Sequence, residues 1–388
     1  MAGPTLGQVL RGVLAGPQAA ALRLSPHQWK TVRALADCRT SALGGQLFRC
    51  TACQREHFVA HSCRNRHCPQ CQGSLALEWL EQQTATLLPI PYFHLVFTVP
   101  HTLNGLIRQN RQALLNLLFA AASQTLLTFG QERLGARIGV TAVLHTWSQT
   151  LLDHYHVHCI VTGGGLTLAG GGWVHSPAHH LFPVRALSVM YRAKFLAGLK
   201  ELHQTQGLEF HGQMAPLADP KAFSALLQTA AARSWVVYAK RPFAGPRQVL
   251  AYLSGYTHRV AISSRRLLQA DEQSVAFDYK DYADGARHKT MTLDRMEFVR
   301  RFCLHILPER FVKIRHYGLL GNRQRQQRLA RARELLGATS APAGQEPEPT
   351  PAIIAAPPAC CPYCQQATLV LLREVPRAKL PVPKLDSS

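Results

Sequence analysis

Apolar and polar positions along the chain switch between two rhythms. Residues 91–100, PYFHLVFTVP, alternate between bounding prolines, the period of a strand. Residues 108–130, RQNRQALLNLLFAAASQTLLTFG, carry apolar positions at helical spacing and stop on glycine. ARIGVTAVLHTW (136–147) returns to the strand rhythm, and DHYHVHCIVTGGG (153–165) is a second strand that glycines end. The link SQTLLD is short enough for these two to pair as a hairpin. A polar, Gly-rich excursion covers 170–183, and helices are expected near 185–201 and 219–232, then a strand at 233–242. Residues 245–263, GPRQVLAYLSGYTHRVAIS, read as a helix with Pro246 near its start, then a strand from about Arg259. SVAFDYKDY and ARHKTMTL make a hairpin around ADG, and helices are expected near 294–306 and 319–336. Residues 337–359 form a Pro/Ala-rich linker, and no internal repeat is visible.

The chain has 388 residues, 47% hydrophobic and 17% charged, enough for more than one domain and unlike a disordered chain. No apolar run reaches the ~18 residues of a membrane span. The first residues, MAGPTLGQVLRGVLAGPQAAALRLSP, scatter arginines and lack an apolar stretch before a cleavage site, so no signal peptide is read and a cytoplasmic location is expected. Charge narrows the picture. Lys+Arg total 43 against 22 Asp+Glu, a net +21, which points to a polyanionic partner, ordinarily nucleic acid.

Six of the eleven cysteines lie between Cys38 and Cys71. In a reducing compartment this reads as metal ligation rather than disulfides. Cys50–Cys53 and Cys68–Cys71 are two C-x2-C knuckles, which together offer four thiolates for a tetrahedral zinc. Cys38, Cys63, His57, His61 and His67 remain as donors for a second site. Cys38 as a small core residue is the alternative. Arg49, Arg55, Arg64 and Arg66 make the segment a basic module suited to reading DNA. A third knuckle, Cys361–Cys364, has only Cys360 beside it; a partner chain, Cys303 or nothing at all would complete it.

On the 153–165 strand, His156 and His158 project from one face with Val157 between them. Downstream, Tyr252 and Tyr256 are four apart on an expected helix, which puts both phenols on one side. Lys240 and Arg241 precede them, and His258, Arg259, Arg265 and Arg266 follow, a setting suited to phosphate. A cation on the histidine pair and a tyrosine nucleophile together describe phosphodiester transfer to tyrosine. The helix at 319–336 adds Arg323, Arg325, Arg328, Arg331 and Arg333, either a solvated face or a contact with DNA backbone.

The stretches SCRNRHCPQCQG, HLVFTVP, VLHTWSQTLLDHYHVHCIVTGGG, YAKRPFAGPRQVLAYLSGYTHRVAIS and RHYGLLGNR occur in that order over about residues 35–325. With them the chain resembles the insertion-sequence-91 family of transposases, the two-tyrosine rolling-circle group of the HUH endonuclease superfamily. Tyr155 stands where a proline is expected. The resemblance implies an α+β fold, with an HUH-type antiparallel sheet flanked by helices, a zinc-ribbon-like N-terminal domain and a basic helical C-terminal region. The expected divisions are 1–87 (zinc-binding, DNA recognition), 88–300 (catalytic), 301–336 (basic helical), 337–359 (linker) and 360–388 (tail with the third knuckle). It implies His156 and His158 as metal ligands and Tyr252 and Tyr256 as nucleophiles in single-strand nicking and strand transfer. The third ligand is expected to be His145, then His154, His258 or Gln149 in that order. The implied cofactors are structural zinc and a catalytic magnesium or manganese, although imidazoles alone suit zinc equally. The implied partner is DNA, as single-stranded element ends and target, with Arg64, Arg66, Lys240, Arg241, Arg259, Arg265 and Arg266 as its contacts. No membrane is involved, and a homodimer is left open. A relaxase or replication initiator with the same chemistry, a metallohydrolase using the histidines to activate water, and a non-catalytic zinc-finger DNA binder are the alternatives.

Overall fold

The computed structural model describes residues 3–84, 86–243, 249, 258–337, 360–366 and 368–377. In chain order the first elements are α1 (Leu6–Leu14), α2 (Pro26–Ala36), β1 (Gly45–Cys50), β2 (Glu56–Ala60), α3 (Gln72–Thr84) and β3 (Tyr92–Thr98). Then come α4 (Asn104–Gln109), α5 (Arg111–Leu134), β4 (Ala136–Trp147), β5 (Asp153–Thr167), β6 (Trp173–His175), α6 (Val184–Gln204), α7 (Pro220–Ala232) and β7 (Val237–Phe243). The rest are β8 (Leu267–Ala270), β9 (Ser274–Asp281), β10 (Arg287–Asp294), α8 (Arg295–Cys303), β11 (Ile314–Gly318), α9 (Arg325–Leu335) and β12 (Leu369–Val375). The fold is α+β, and every strand pairing is antiparallel.

The central sheet runs β11-β4-β5-β3-β7, with β6 added on β5. Its middle is the expected β4–β5 hairpin. Tyr155, Val157, Cys159 and Val161 of β5 enter one large core, together with Phe93, Leu95 and Phe97 of β3 and buried side chains of α5 and α6. Because side chains alternate, His156, His158 and Ile160 of β5 and His94 of β3 stand on the other face. That face is also covered: Ile160 packs with Leu88, Tyr92, Leu319 and Val249. Burial on both faces explains why β5 reads as an almost unbroken buried run.

Helix α5 is apolar enough in length and composition to cross a bilayer, but it is the spine of this core, packed on α6 and β4. It ends at Gly135, whose left-handed backbone (φ 63°) suits a residue without Cβ. The start of β5 is tied down by Asp153. Its carboxylate is buried, accepts from Arg108 Nε at 3.0 Å and from the Tyr155 hydroxyl at 3.0 Å. Tyr155 is therefore a core residue with its polar end satisfied.

A second core joins α1 and α2 to β8, β9 and α8 through Leu10, Leu35, Phe277, Phe298 and Phe302, and it includes Cys38, Cys68, Cys71 and Cys303. β8, β9 and β10 form one small sheet; β12, β1 and β2 form another. The described part of the expected tail thus belongs to the N-terminal sheet. The strand expected from Arg259 does not form. Residues 259–263 lack regular structure, held by buried Ala261 and Ile262, and pairing resumes at β8. The helix expected from 245 lies outside the described residues apart from Val249.

β11 closes the sheet against β4 and ends at Gly318, opposite Gly139. Gly318 has φ 62°, and a Cβ there would meet the Ile138 carbonyl oxygen and Leu127. Gly318→Ala is expected to cost about 1–3 kcal/mol, read as a lower unfolding midpoint. Gly171→Ala, where a Cβ meets nothing within 4 Å, is expected to stay within about 0.5 kcal/mol of the parent.

Candidate active site and cysteine clusters

The β4–β5 register sets His145 directly opposite His156, and His158 is the next residue on that face of β5. The three side chains converge, with one potential ligand nitrogen from each lying within 4.8 Å of the others. Ring centroids are 4.5 Å apart for His145–His158, 4.9 Å for His156–His158 and 5.4 Å for His145–His156. All three are buried. Burial, with the neighbouring His154, holds His156 down to about 3, and burial with His156 lowers His158 as well. Both are neutral at physiological pH, the form that binds metal.

Tautomers are fixed from outside the trio. His156 Nδ1 lies 2.8 Å from the His154 carbonyl, so Nδ1–H donates and Nε2 keeps its lone pair. His158 Nδ1 lies 2.9 Å from His94 Nε2, with the two rings stacked at 5.1 Å. With the proton on His158 Nδ1, His94 accepts and His158 Nε2 carries the ring's lone pair. His94 escaped the sequence reading. The signal was present: in HLVFTVP it occupies the face opposite Phe93, Leu95 and Phe97, where a hydrophobe would be expected under a buried sheet.

His154, second choice as third ligand, contributes its carbonyl to His156, while its ring stacks on His101 at 5.6 Å. His258 sits 5.9 Å from the Trp79 ring. The Gln149 carbonyl accepts from Arg266. Neither His154 nor His258 belongs to the converging set. Tyr252 and Tyr256 lie outside the described residues.

The basic residues divide. Lys240 is exposed on β7, in register with His94, and Arg241 is in the same strand. Arg259 is exposed and its charge acts on His156 and His158. Arg64 and Arg265 are exposed. Arg66 and Arg266, expected to touch DNA, are instead internal ties. Arg66 donates to the Pro308 and Phe311 carbonyls; Arg266 donates to the Asp278 carbonyl at 2.7 Å and stacks on Phe277. Of the helical arginines, Arg328 donates to the Leu319 and Gly321 carbonyls, Arg325 reaches Gln83, and Arg331 pairs with Glu334. Lys313, also unanticipated, lies 5.4 Å over the Trp147 ring and donates to the Arg259 carbonyl at 2.7 Å. Burial, then the Arg66 charge, lowers it to about 7.

The cysteines fall into two sets of four, paired differently from the expectation. Cys38, Cys63, Cys68 and Cys71 form one; Cys50, Cys53, Cys361 and Cys364 form the other. The β1–β2 hairpin explains the split. Gly45 pairs with Ala60 at its open end, near Cys38 and Cys63, whereas Cys50 and Cys53 are at its tip, a strand length of roughly 17 Å away. The first set has Sγ separations of 3.5–3.7 Å (Cys38–Cys68, Cys38–Cys71, Cys63–Cys71). A tetrahedron with Zn–S of ~2.3 Å has edges of ~3.8 Å, so the set fits a structural zinc. The contact with Cys63 and then Cys68 pulls the Cys38 thiol down, while the same contacts push Cys63 and Cys68 up. A zinc among them would hold all four as thiolates. None of the three histidines offered for a second site belongs to either set, and His61 Nε2 lies 3.5 Å from a Glu374 carboxylate oxygen. His67 Nε2 accepts from the Leu307 N–H, and His57 lies in β2, its ring 6.5 Å from Tyr363. Cys303 is buried in the second core.

Comparisons with known proteins agree with this layout. A family model described as "Putative transposase" matches residues 139–328, and one described as "Transposase zinc-binding domain" matches residues 14–99. The chain is 44% identical over 346 residues to "Putative transposase y4qJ" of Sinorhizobium fredii, covering 89% of this chain and 87% of that protein. It is 30% identical over 331 residues to "Transposase for insertion sequence element IS801" of Pseudomonas savastanoi pv. phaseolicola, covering 84% and 77%. The chain belongs to the insertion-sequence-91 family of transposases. No solved structure matches it. The zinc-binding match contains Cys38, Cys63, Cys68 and Cys71 and extends through β3 with His94; the transposase match contains His145, His156 and His158. In this transposase the two matched regions therefore meet inside one sheet, at the β3–β5 pairing.

The His94 contact yields a prediction. His94→Ala is expected to weaken Mn2+ binding by the full-length transposase about 10–100-fold, while His94→Gln retains most of it. A Mn2+ titration followed by electron paramagnetic resonance decides, and unchanged affinity in His94→Ala would remove His94 from the site.

Proposed function

We propose that this transposase cuts and rejoins single-stranded DNA through tyrosine–phosphate intermediates, with a divalent cation held by His145, His156 and His158. The observation that carries the reading is the buried histidine trio near the turn of the central hairpin, with His156 and His158 neutral. Each neutral imidazole keeps one lone pair, so three converging on one point suit a cation. The nucleophiles are read from the sequence as Tyr252 and Tyr256, three and seven residues after Val249, which is buried in one cluster with Ile160.

Magnesium or manganese, when bound, supplies charge neutralisation at the scissile phosphate. The rest falls to the chain. His154 and His94 hold the ligand imidazoles in their binding tautomers. Arg259 and Lys240, exposed beside the trio, attract and orient the phosphodiester. The Tyr252 or Tyr256 phenol gives up its proton and its oxygen bonds to phosphorus. The bond to the 3′-oxygen breaks, and that oxygen takes a proton to become a 3′-OH. A 5′-phosphotyrosine remains, close in energy to the original diester, so a later 3′-OH attacks it, restores DNA and frees the phenol without ATP. Two phenols permit two such transfers in succession, as rolling-circle transposition requires. The zinc module is read as the DNA-recognition domain, with Arg64 among its contacts, and the central sheet as the catalytic domain.

Tyr252→Phe and Tyr256→Phe are each expected to lose one covalent adduct with a labelled single-stranded element end on a denaturing gel. An adduct surviving in the double variant would exclude both as nucleophiles. His156→Ala with His158→Ala is expected to cut nicking by ~100-fold or more while DNA affinity stays near the parent's. Turnover without any adduct would favour the metallohydrolase alternative.

A further inference from the structure

The segment after the linker supplies half of a metal site. β12 pairs with β1 along its length, from Gly45–Val375 to Cys50–Leu369, and the Thr51 N–H donates to the Thr368 carbonyl at 2.9 Å. That register fixes where the preceding CPYC turn falls: beside the tip of the β1–β2 hairpin. Cys50 Sγ lies 3.6 Å from Cys364 Sγ, and Cys53 Sγ lies 3.6 Å from Cys361 Sγ. All four sulfurs are within 4.8 Å of one another. Disulfides would need ~2.05 Å. Separations near 3.8 Å are those of four thiolates around one zinc. Donors surround them as well. The Cys53 N–H points at Cys50 Sγ at 3.4 Å, and the Thr368 hydroxyl lies 3.0 Å from the same sulfur.

We propose that Cys50, Cys53, Cys361 and Cys364 bind a second structural zinc, which clasps the C-terminal strand to the N-terminal module. The zinc-binding family match stops at residue 99 and so contains only half of this set. The sheet alone gives β12 little hold: Val370, Leu371 and Leu372 remain 52%, 46% and 41% exposed. An edge strand that buries so little is marginal in water on backbone hydrogen bonds alone. A metal spanning β1 and the turn before β12 supplies what packing does not. The two sites also differ in access. Cys38, Cys68 and Cys71 sit in the second core, whereas among the clasp ligands Cys53 and Cys364 are half-exposed. The clasp is therefore the site that a chelator empties first.

The test uses the full chain with a specific protease site inserted within residues 338–359. Metal analysis is expected to give two zinc ions per parent chain and one for Cys361→Ser with Cys364→Ser. After cleavage, the C-terminal fragment is expected to co-elute with the body in the parent, and to separate in the double variant or with chelator. The proposal is overturned by a variant that keeps two zinc ions, by a parent fragment that separates with zinc retained, or by thiol counting that shows the four cysteines oxidised. The double variant spares the Cys38 set, so a retained single zinc shows that the N-terminal module is still folded.

Discussion

One pairing governs the molecule: His145 against His156 across the β4–β5 hairpin. A slip of one residue would send β5's histidines into the large core and its valines toward the other face. The register is held from both sides. Tyr155, Val157, Cys159 and Val161 fill the core beneath, and Asp153 is gripped by Arg108 and the Tyr155 hydroxyl at the strand's start. The polar trio is thus placed by apolar contacts it does not share. Desolvation follows from the same packing, and it is the first cause of the neutrality of His156 and His158. Geometry and protonation state have a single origin.

The excess positive charge serves two ends. Arg66, Arg266 and Arg328 direct guanidinium nitrogens at the loop carbonyls of Pro308, Gln149 and Gly321. They stitch the zinc module and the last helix to the central sheet. Arg64, Arg259, Arg265 and Lys240 stay at the surface. A net charge of +21 therefore overstates what is free to meet a phosphate backbone, and the exposed cations beside the histidines matter more than the total.

Local rhythm made much of the fold legible. Alternation and glycine stops located β3, β4 and β5, and the short link between the last two predicted their hairpin. Helices α5, α6 and α7 followed from apolar spacing in the same way. Helices α1 and α2 were overlooked although Thr5 with Gln8 and Ser25 with Gln28 are capping boxes written in the sequence. Other features had no local signature. β11 and β12 are short, with no clean alternation, and are strands only because β4 and β1 await them. Which knuckle meets which is likewise a property of hairpin length: Cys50 and Cys53 look adjacent to Cys68 and Cys71 along the chain, but β1 and β2 carry them apart. The strand expected from Arg259 failed because Ala261 and Ile262 anchor that segment by insertion into a core, leaving no edge for it to extend.

The positions of β11 and β12 bear on when the protein becomes whole during synthesis. Chains leave the ribosome from the N-terminus and fold as units emerge. Here the sheet begun at Tyr92 receives its last edge only with Ile314–Gly318, and the small sheet begun at Gly45 only with Leu369–Val375. Until those late segments arrive, β4 and β1 each present an unpaired edge beside structure already formed. A nascent transposase thus carries His145, His156 and His158 long before it carries a finished frame, and a premature stop soon after His158 would yield an open-edged fragment rather than a smaller working protein.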